Sequence, residues 1–211
     1  MNCATKWSLG IAAIACVCWR FPLFHLVPLK TATAEKAAAA FDAAKAVETY
    51  WTNQLPAAIG QAVNADQLLT AIKADPTSAK KKFSRSLGMG ESYLYFVAGS
   101  GRVVAVLDDE VSLAVTDGGT NPEISLQTGL IFGNALRDGL GGFNASDYPN
   151  SQDFNDLAAA LNHLVETRVL PKLRGQAKVG ANISFAGCAE VDDESTDLKP
   201  LKVIPLQTGA Q

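Results

Sequence analysis

The chain has 211 residues, 48% of them hydrophobic and 18% charged, a balance that argues against disorder and fits one ordinary domain plus an appendage. Its formal net charge of −3 supplies no basic field of the kind that nucleic-acid binding needs. The one lysine run, Lys80-Lys81-Lys82, reads as a solvated helix end, so no nucleic-acid partner is expected.

The N-terminus opens the chain-order reading. Lys6 precedes an apolar run over 7–15, and Ala13-Ile14-Ala15-Cys16 places small residues and then a cysteine at its end. A charge, an apolar stretch and a small-residue cut site make a secretory signal. With Cys16 after the cut, the pattern is similar to a bacterial lipoprotein signal. The expected organisation is a signal peptide over 1–15, lipidation at Cys16 and a lipid-anchored tether over 16–30. An uncleaved anchor running to Leu29 is the competing reading, and it would bury Arg20, Pro22 and Pro28. Ordinary signal cleavage is a third. Cys18 is a second lipidation candidate, but Val17 before it is a poorer cleavage residue than Ala15.

In the first two readings the membrane is reached through the N-terminus. Cys3 leaves with the signal, so Cys18 and Cys188 remain for a disulfide in an oxidising compartment. The simpler expectation is that Cys188 is a small buried hydrophobe in a strand. No Cys-x-x-Cys and no Cys/His pair has ligand spacing, so neither a metal site nor a cofactor is expected.

Residues 31–83 read as a small helical unit. Phe41, Ala44, Val47, Trp51, Leu55 and Ile59 form a stripe with helical spacing, with Pro56 and Gly60 as stop signals. Asn64 with Gln67 forms a capping box for a helix carrying Leu68, Leu69 and Ile72. Asp75-Pro76 ends that helix and starts another.

The remainder, 84–211, reads as a strand-rich domain. Aromatic and apolar residues over 92–98, a Gly99-Ser100-Gly101-Arg102 turn and β-formers over 103–107 predict a hairpin. Alternation at Val111, Leu113 and Val115, and again at Ile124, Leu126 and Thr128, completes a four-strand meander. Gly129 and Gly133 bracket a short buried segment, Leu130-Ile131-Phe132. Phe154, Leu157, Ala158, Leu161, Leu164, Val165 and Val169 form the clearest helical stripe, capped by Ser151 and stopped by Pro171. Strands near 178–189, with Val179, Ile183 and Phe185, and near 201–206 close the chain around the acidic loop Asp192-Asp193-Glu194. The fold class expected is α+β: an N-terminal helical unit followed by an OB-like small antiparallel β-barrel with one packed helix plugging its open end. An open antiparallel sheet with the helix on one face is the alternative.

Phe41-Asp42-Ala43 leading into Trp51, the run from Leu68 to Pro76, Gly133-Asn134-Ala135-Leu136-Arg137-Asp138, Phe143, Asn150, Gln152 and Leu161-Asn162 then take on a further meaning. Together with the N-terminus, they make the chain resemble a bacterial family of predicted periplasmic lipoproteins, domain of unknown function 2291. The resemblance spans nearly all of the mature chain. It departs at Gly129-Leu130, where the family tends to have Gly-Pro, and at Phe132-Gly133-Asn134-Ala135, where the family tends to have Arg-Gly-Thr-Ala. The resemblance implies export, lipid anchoring and an association with ABC-type sugar transport systems, and it implies no reaction.

Arg137 and Asp138 are the leading polar pair, between a glycine-bracketed apolar stretch and Gly139, Gly141 and Gly142. An arginine there is suited to a bidentate carboxylate or phosphate, and equally to a structural ion pair. Asn150 and Gln152 are candidates for a sugar hydroxyl or, more simply, for helix capping. The 117–123 loop has carboxylates but fails the calcium-loop pattern and reads as a turn. Trp51, Tyr93, Tyr95 and Phe96 are candidates for an apolar or sugar-stacking groove or, more simply, for the core, and His163 reads as a surface or boundary residue. No common hydrolase or nucleotide signature occurs. The expected protein is a membrane-tethered, non-enzymatic binding or accessory protein. An envelope protein that docks through its first helices, and a small enzyme, are the alternatives.

Overall fold

The computed structural model describes residues 41–86, 92–116 and 118–210. The signal peptide, Cys16, Cys18, the tether and the proposed start of the helical unit at 31–40 lie outside the described residues. Residues Asp42–Gln211 make one compact unit.

The helical half begins with α1 (Ala43–Asn53) and α2 (Leu55–Ile59), separated where Gln54 precedes Pro56 in the first turn of α2. Val47, Tyr50 and Leu55 are the buried residues here, whereas Ala44 faces solvent. A two-residue strand, β1 (Val63–Asn64), leads into α3 (Ala65–Ala74), and α4 (Pro76–Phe83) follows. Both caps expected from the sequence form: Asn64 Oδ1 accepts from the Gln67 N–H at 3.2 Å and Asp75 Oδ1 from the Thr77 N–H at 3.0 Å. Each satisfies an N-terminal amide that would otherwise lack a partner inside its helix.

The sheet contains β2 (Arg85–Ser86), β3 (Tyr93–Val106), β4 (Glu110–Ala114), β5 (Ile124–Gln127), β6 (Asn182–Val191) and β7 (Leu201–Ala210). Its pairings run β3–β4–β5–β7–β6 and return to β3, so five strands close into a ring. All are antiparallel except β5 with β7, where Ile124 faces Leu201. The ring is possible because β3 is long enough to serve two partners, pairing with β6 from Tyr93 to Arg102 and with β4 from Arg102 to Val106.

That long strand corrects the expected hairpin, and with it the meander, which has three strands rather than four. Gly99 and Gly101 lie inside β3. A Cβ on Gly99 would sit 2.6 Å from the Ala65 Cβ, and one on Gly101 would sit 2.8 Å from the Ala114 carbonyl oxygen. These glycines admit close neighbours in the middle of a strand instead of turning the chain. The last two strands also move: β6 starts at Asn182, leaving Val179 outside it and 69% exposed, and β7 runs on to Ala210.

The long helix differs from expectation in three ways. α6 (Ser151–Leu164) is capped by Asn150, one residue before the expected Ser151. It passes through a π-turn (Val165–Val169) into α7 (Leu170–Gln176), so Pro171 does not stop it. The proline falls in the first turn of α7, where a missing N–H is tolerated, and the wider π-turn before it relieves the clash with the preceding turn. Nor does α6 plug the ring. Ala65, Leu68, Leu69 and Ile72 of α3, with Leu173 of α7, join the inward residues Tyr95, Val97, Leu113, Ile124, Leu126, Ile183 and Val203 in one core. Each fully buried leucine in that core is worth about 2 kcal/mol of apolar burial. α6 packs one layer further out, against α1 and against α5 (Ala135–Leu140), which itself lies on β6 and β3.

The segment after β5 is also rearranged. Only Ile131 is buried, while Leu130 and Phe132 are 76% and 77% exposed. The Ile131 N–H donates to Glu166 at 2.9 Å and Asn162 donates to the Gly133 carbonyl at 3.1 Å. These two bonds from the α6 layer fix which side chain points inward, a constraint that glycine spacing does not reveal. Cys188 is a free, fully buried thiol in β6, the simpler of the two expectations; Cys18, its partner in the alternative, lies outside the described residues.

Candidate binding groove beside helix α5

α5 ends at Gly141, whose φ of 64° is the left-handed conformation that favours glycine at a helix C-terminus. The preceding Gly139 lets α5 approach β6 closely, since a Cβ there would lie 2.6 Å from Cys188 Sγ. Gly142 does the same for α1, because any side chain would overlap the Tyr50 ring. This close packing brings α5, β2 and the start of α6 together around a groove of about 590 Å³. Arg85, Arg137, Asp138, Phe143, Asn144 and Phe154 are among its lining residues.

Arg137 is 5% exposed, and its guanidinium is almost fully used. Nε and Nη2 donate to the two carboxylate oxygens of Asp138, at 2.6 and 3.0 Å. Nη1 donates to the Phe154 carbonyl at 3.0 Å and to Asn155 Oδ1 at 3.3 Å. The planar group also stacks on the Phe154 ring, 3.7 Å from its centroid. Four of its polar contacts are therefore internal, which gives the pair a framework role: it fastens α5 to the start of α6.

Arg85 is different. Its Nη1 donates to the Leu140 carbonyl at 3.0 Å, across a sequence separation of 55 residues, and the guanidinium rests on Gly141 so tightly that any side chain there would overlap it. Among the described residues no carboxylate forms an ion pair with it. On the far side of the loop, Phe143 packs on Tyr50 with ring centroids 4.6 Å apart.

Of the four polar residues singled out from the sequence, the structure brings Arg137 and Asp138 into the groove. Asn150 and Gln152 are not among its lining residues. Asn150 caps α6, accepting from the Asp153 N–H at 2.8 Å and donating to the Asp153 carboxylate at 2.9 Å. Gln152 donates to Asp156 at 2.7 Å on the exposed helix surface. Sequence reasoning passed over Arg85 and Phe154 as groove residues. Arg85 carries no local signal, because its carbonyl partner and its glycine seat belong to a distant helix end.

The other candidates are engaged elsewhere. Tyr93 and Tyr95 are core residues in edge-to-face contact at 5.3 Å, and burial pushes the Tyr95 phenol up to about 12. Burial likewise pushes the Cys188 thiol far above its ordinary value, which suits an inert core residue. Phe96 is buried, Trp51 is half-buried and His163 is exposed. Glu123, in the presumed turn, accepts from Lys73 at 2.5 Å, from the N–H groups of Val115 and Thr116 at 3.0 and 2.8 Å, and from the Thr116 hydroxyl at 2.9 Å. Burial alone would raise its pKa, but Lys73 and the other donors outweigh that and hold it at about 2.

The family model described as predicted periplasmic lipoprotein (DUF2291) matches residues 12–208. The chain belongs to this family. Its members are periplasmic-side, membrane-anchored proteins by that description, which agrees with the N-terminal reading. Among solved structures, an OB-fold protein from Thermotoga maritima is similar at a TM-score of 0.71 and 25% identity. The match covers 82% of this chain and 99% of that one. No curated protein matches the chain. The lipoprotein is thus a mixed α+β chain whose fold is similar to an OB-fold protein.

Proposed function

We propose that this lipoprotein is a non-enzymatic binding or accessory protein, held at the membrane by Cys16 and serving solute uptake, with sugars as the solute class. The five-strand ring is read here as an OB-like barrel that acts as a rigid scaffold for the helices. The observation that carries the proposal is the groove beside α5, a concave site of about 590 Å³ that combines arginines with the aromatic walls Phe143 and Phe154. Aromatic faces suit sugar rings, and polar groups at the rim suit their substituents. The link to an ABC-type sugar transporter rests on the family resemblance.

A docking role through the first helices draws less support. Among the described residues of α1 and α2, no large apolar side chain is exposed. The exposed apolar pair, Leu130 and Phe132, belongs to the loop after β5.

The test is a melting-temperature screen of the detergent-solubilised full chain, read by intrinsic fluorescence, against neutral sugars, sugar acids, sugar phosphates and divalent cations. A ligand at a hundred times its Kd stabilises by about 2.7 kcal/mol, which moves the midpoint of a domain this size by roughly 5–10 °C. A flat screen would overturn the binding proposal.

A further inference from the structure

Resting on the groove reading, we infer that the ligand carries an anionic group, a carboxylate or a phosphate, and that Arg85 recognises it. The groove's two arginines are unlike each other. Arg137 is neutralised by Asp138 and occupied on both sides of its guanidinium, so it offers a ligand little. Arg85 keeps a full positive charge with no ion-pair partner among the described residues.

Its guanidinium is nevertheless positioned. One N–H is tied to the Leu140 carbonyl and the group is seated on Gly141, a position that a side chain of any size would block. A flexible surface arginine pays an ordering cost each time it binds. One that is already held loses less freedom per bond formed, and its planar fork matches an oxyanion.

The charge also acts inward. Burial raises the pKa of both Tyr50 and Cys188, and Arg85 pulls each back in the direction of the anion. The groove therefore presents one positioned cation with no ion-pair partner among the described residues, in a lining that also includes the aromatic side chains Phe143 and Phe154. That is the arrangement for a ring-bearing ligand with one anionic substituent.

The test compares glucose, glucuronate, glucose 6-phosphate and inorganic phosphate at matched ionic strength, by the melting midpoint of the full chain in detergent. Glucuronate or glucose 6-phosphate is expected to raise the midpoint by several degrees where glucose does not. The glucuronate and phosphate arms tell a carboxylate source from a phosphate source. Arg85→Gln is expected to weaken the anionic response at least tenfold while the unliganded midpoint stays close to wild type. Should that variant fail to fold, Arg85→Lys, which keeps the charge and loses the fork, is expected to bind about tenfold more weakly. If glucose stabilises as well as glucuronate and Arg85→Gln changes nothing, anion recognition is wrong and the groove reading stands. If none of the four compounds moves the midpoint, anion recognition by Arg85 is wrong, and the groove reading falls only with a flat result in the wider screen.

Discussion

Around Glu123, where the chain enters β5, four donors from Lys73, Val115 and Thr116 converge on one carboxylate. Around Arg85, at the edge of the groove, one backbone carbonyl takes one N–H and no carboxylate answers the charge among the described residues. Both groups are set in place by contacts distant in sequence, and both sit beside cavities. The difference is saturation. A charge whose hydrogen-bonding capacity is filled from within holds the fold together, and a charge that is fixed but unfilled is available to a ligand. Arg137 belongs with Glu123 by this criterion, although it shares a groove with Arg85.

The comparison breaks most readily at Arg137. Arg137→Ala leaves Asp138, 15% exposed, without its counter-charge and strips the link from α5 to Phe154 and Asn155. Removing one partner of a buried pair costs about 3–5 kcal/mol. A chemical denaturation series showing a loss of less than about 1 kcal/mol would mean that the pair is not a framework element.

Glu123 supplies the next largest effect. Its pKa in the fold, about 2, lies below the ordinary 4.5, so its contribution is fully present above pH 4.5 and is lost as pH falls toward 2. The size is on the order of 3 kcal/mol. Wild type should therefore lose stability steeply between those pH values, and Glu123→Gln should be less stable at neutral pH and flatter across that window. Parallel pH profiles for the two proteins would show that the donors around Glu123 do not favour its charged form.

Asn150 comes third. Its side chain caps α6 at 2.8 Å, so Asn150→Ala should cost about 1 kcal/mol in the same denaturation assay and leave any ligand response of the groove unchanged. A lost ligand response with intact stability would return Asn150 to the binding site.

What the sequence made legible follows the range of the interactions. The caps at Asn64 and Asp75 were readable because donor and acceptor lie two or three residues apart. The stripe on α6 was readable because its period is intrinsic to the helix. Gly99 and Gly101 misled because glycine marks a turn and a close approach equally well, and the neighbours that decide between them, Ala65 and Ala114, come from other elements. The exposure of Leu130 and Phe132 was hidden for the same reason, since Glu166 and Asn162 set that loop from more than twenty residues away. At the groove, the adjacency of Arg137 and Asp138 was visible, but the saturation that gives them a framework role was not. Arg85 had no signal at all, because its distinction lies in what Gly141 leaves room for.

The smallest predicted effect on stability is the one on which the comparison turns. Arg85→Gln removes one hydrogen bond to the Leu140 carbonyl, near the surface of an open groove where water can take the donor's place. No buried carboxylate is abandoned, in contrast to Arg137→Ala, and Gly141 keeps its left-handed cap with or without the guanidinium above it. The loss should therefore stay within about 1 kcal/mol, as for a hydrogen bond that water can replace. The gap between the two arginine variants, at least about 2 kcal/mol by denaturation, measures the difference between a filled and an unfilled charge. If Arg85→Gln proves as destabilising as Arg137→Ala, then Arg85 is a clamp on the end of α5, its fixed position is explained by folding alone, and the groove loses its recognition group.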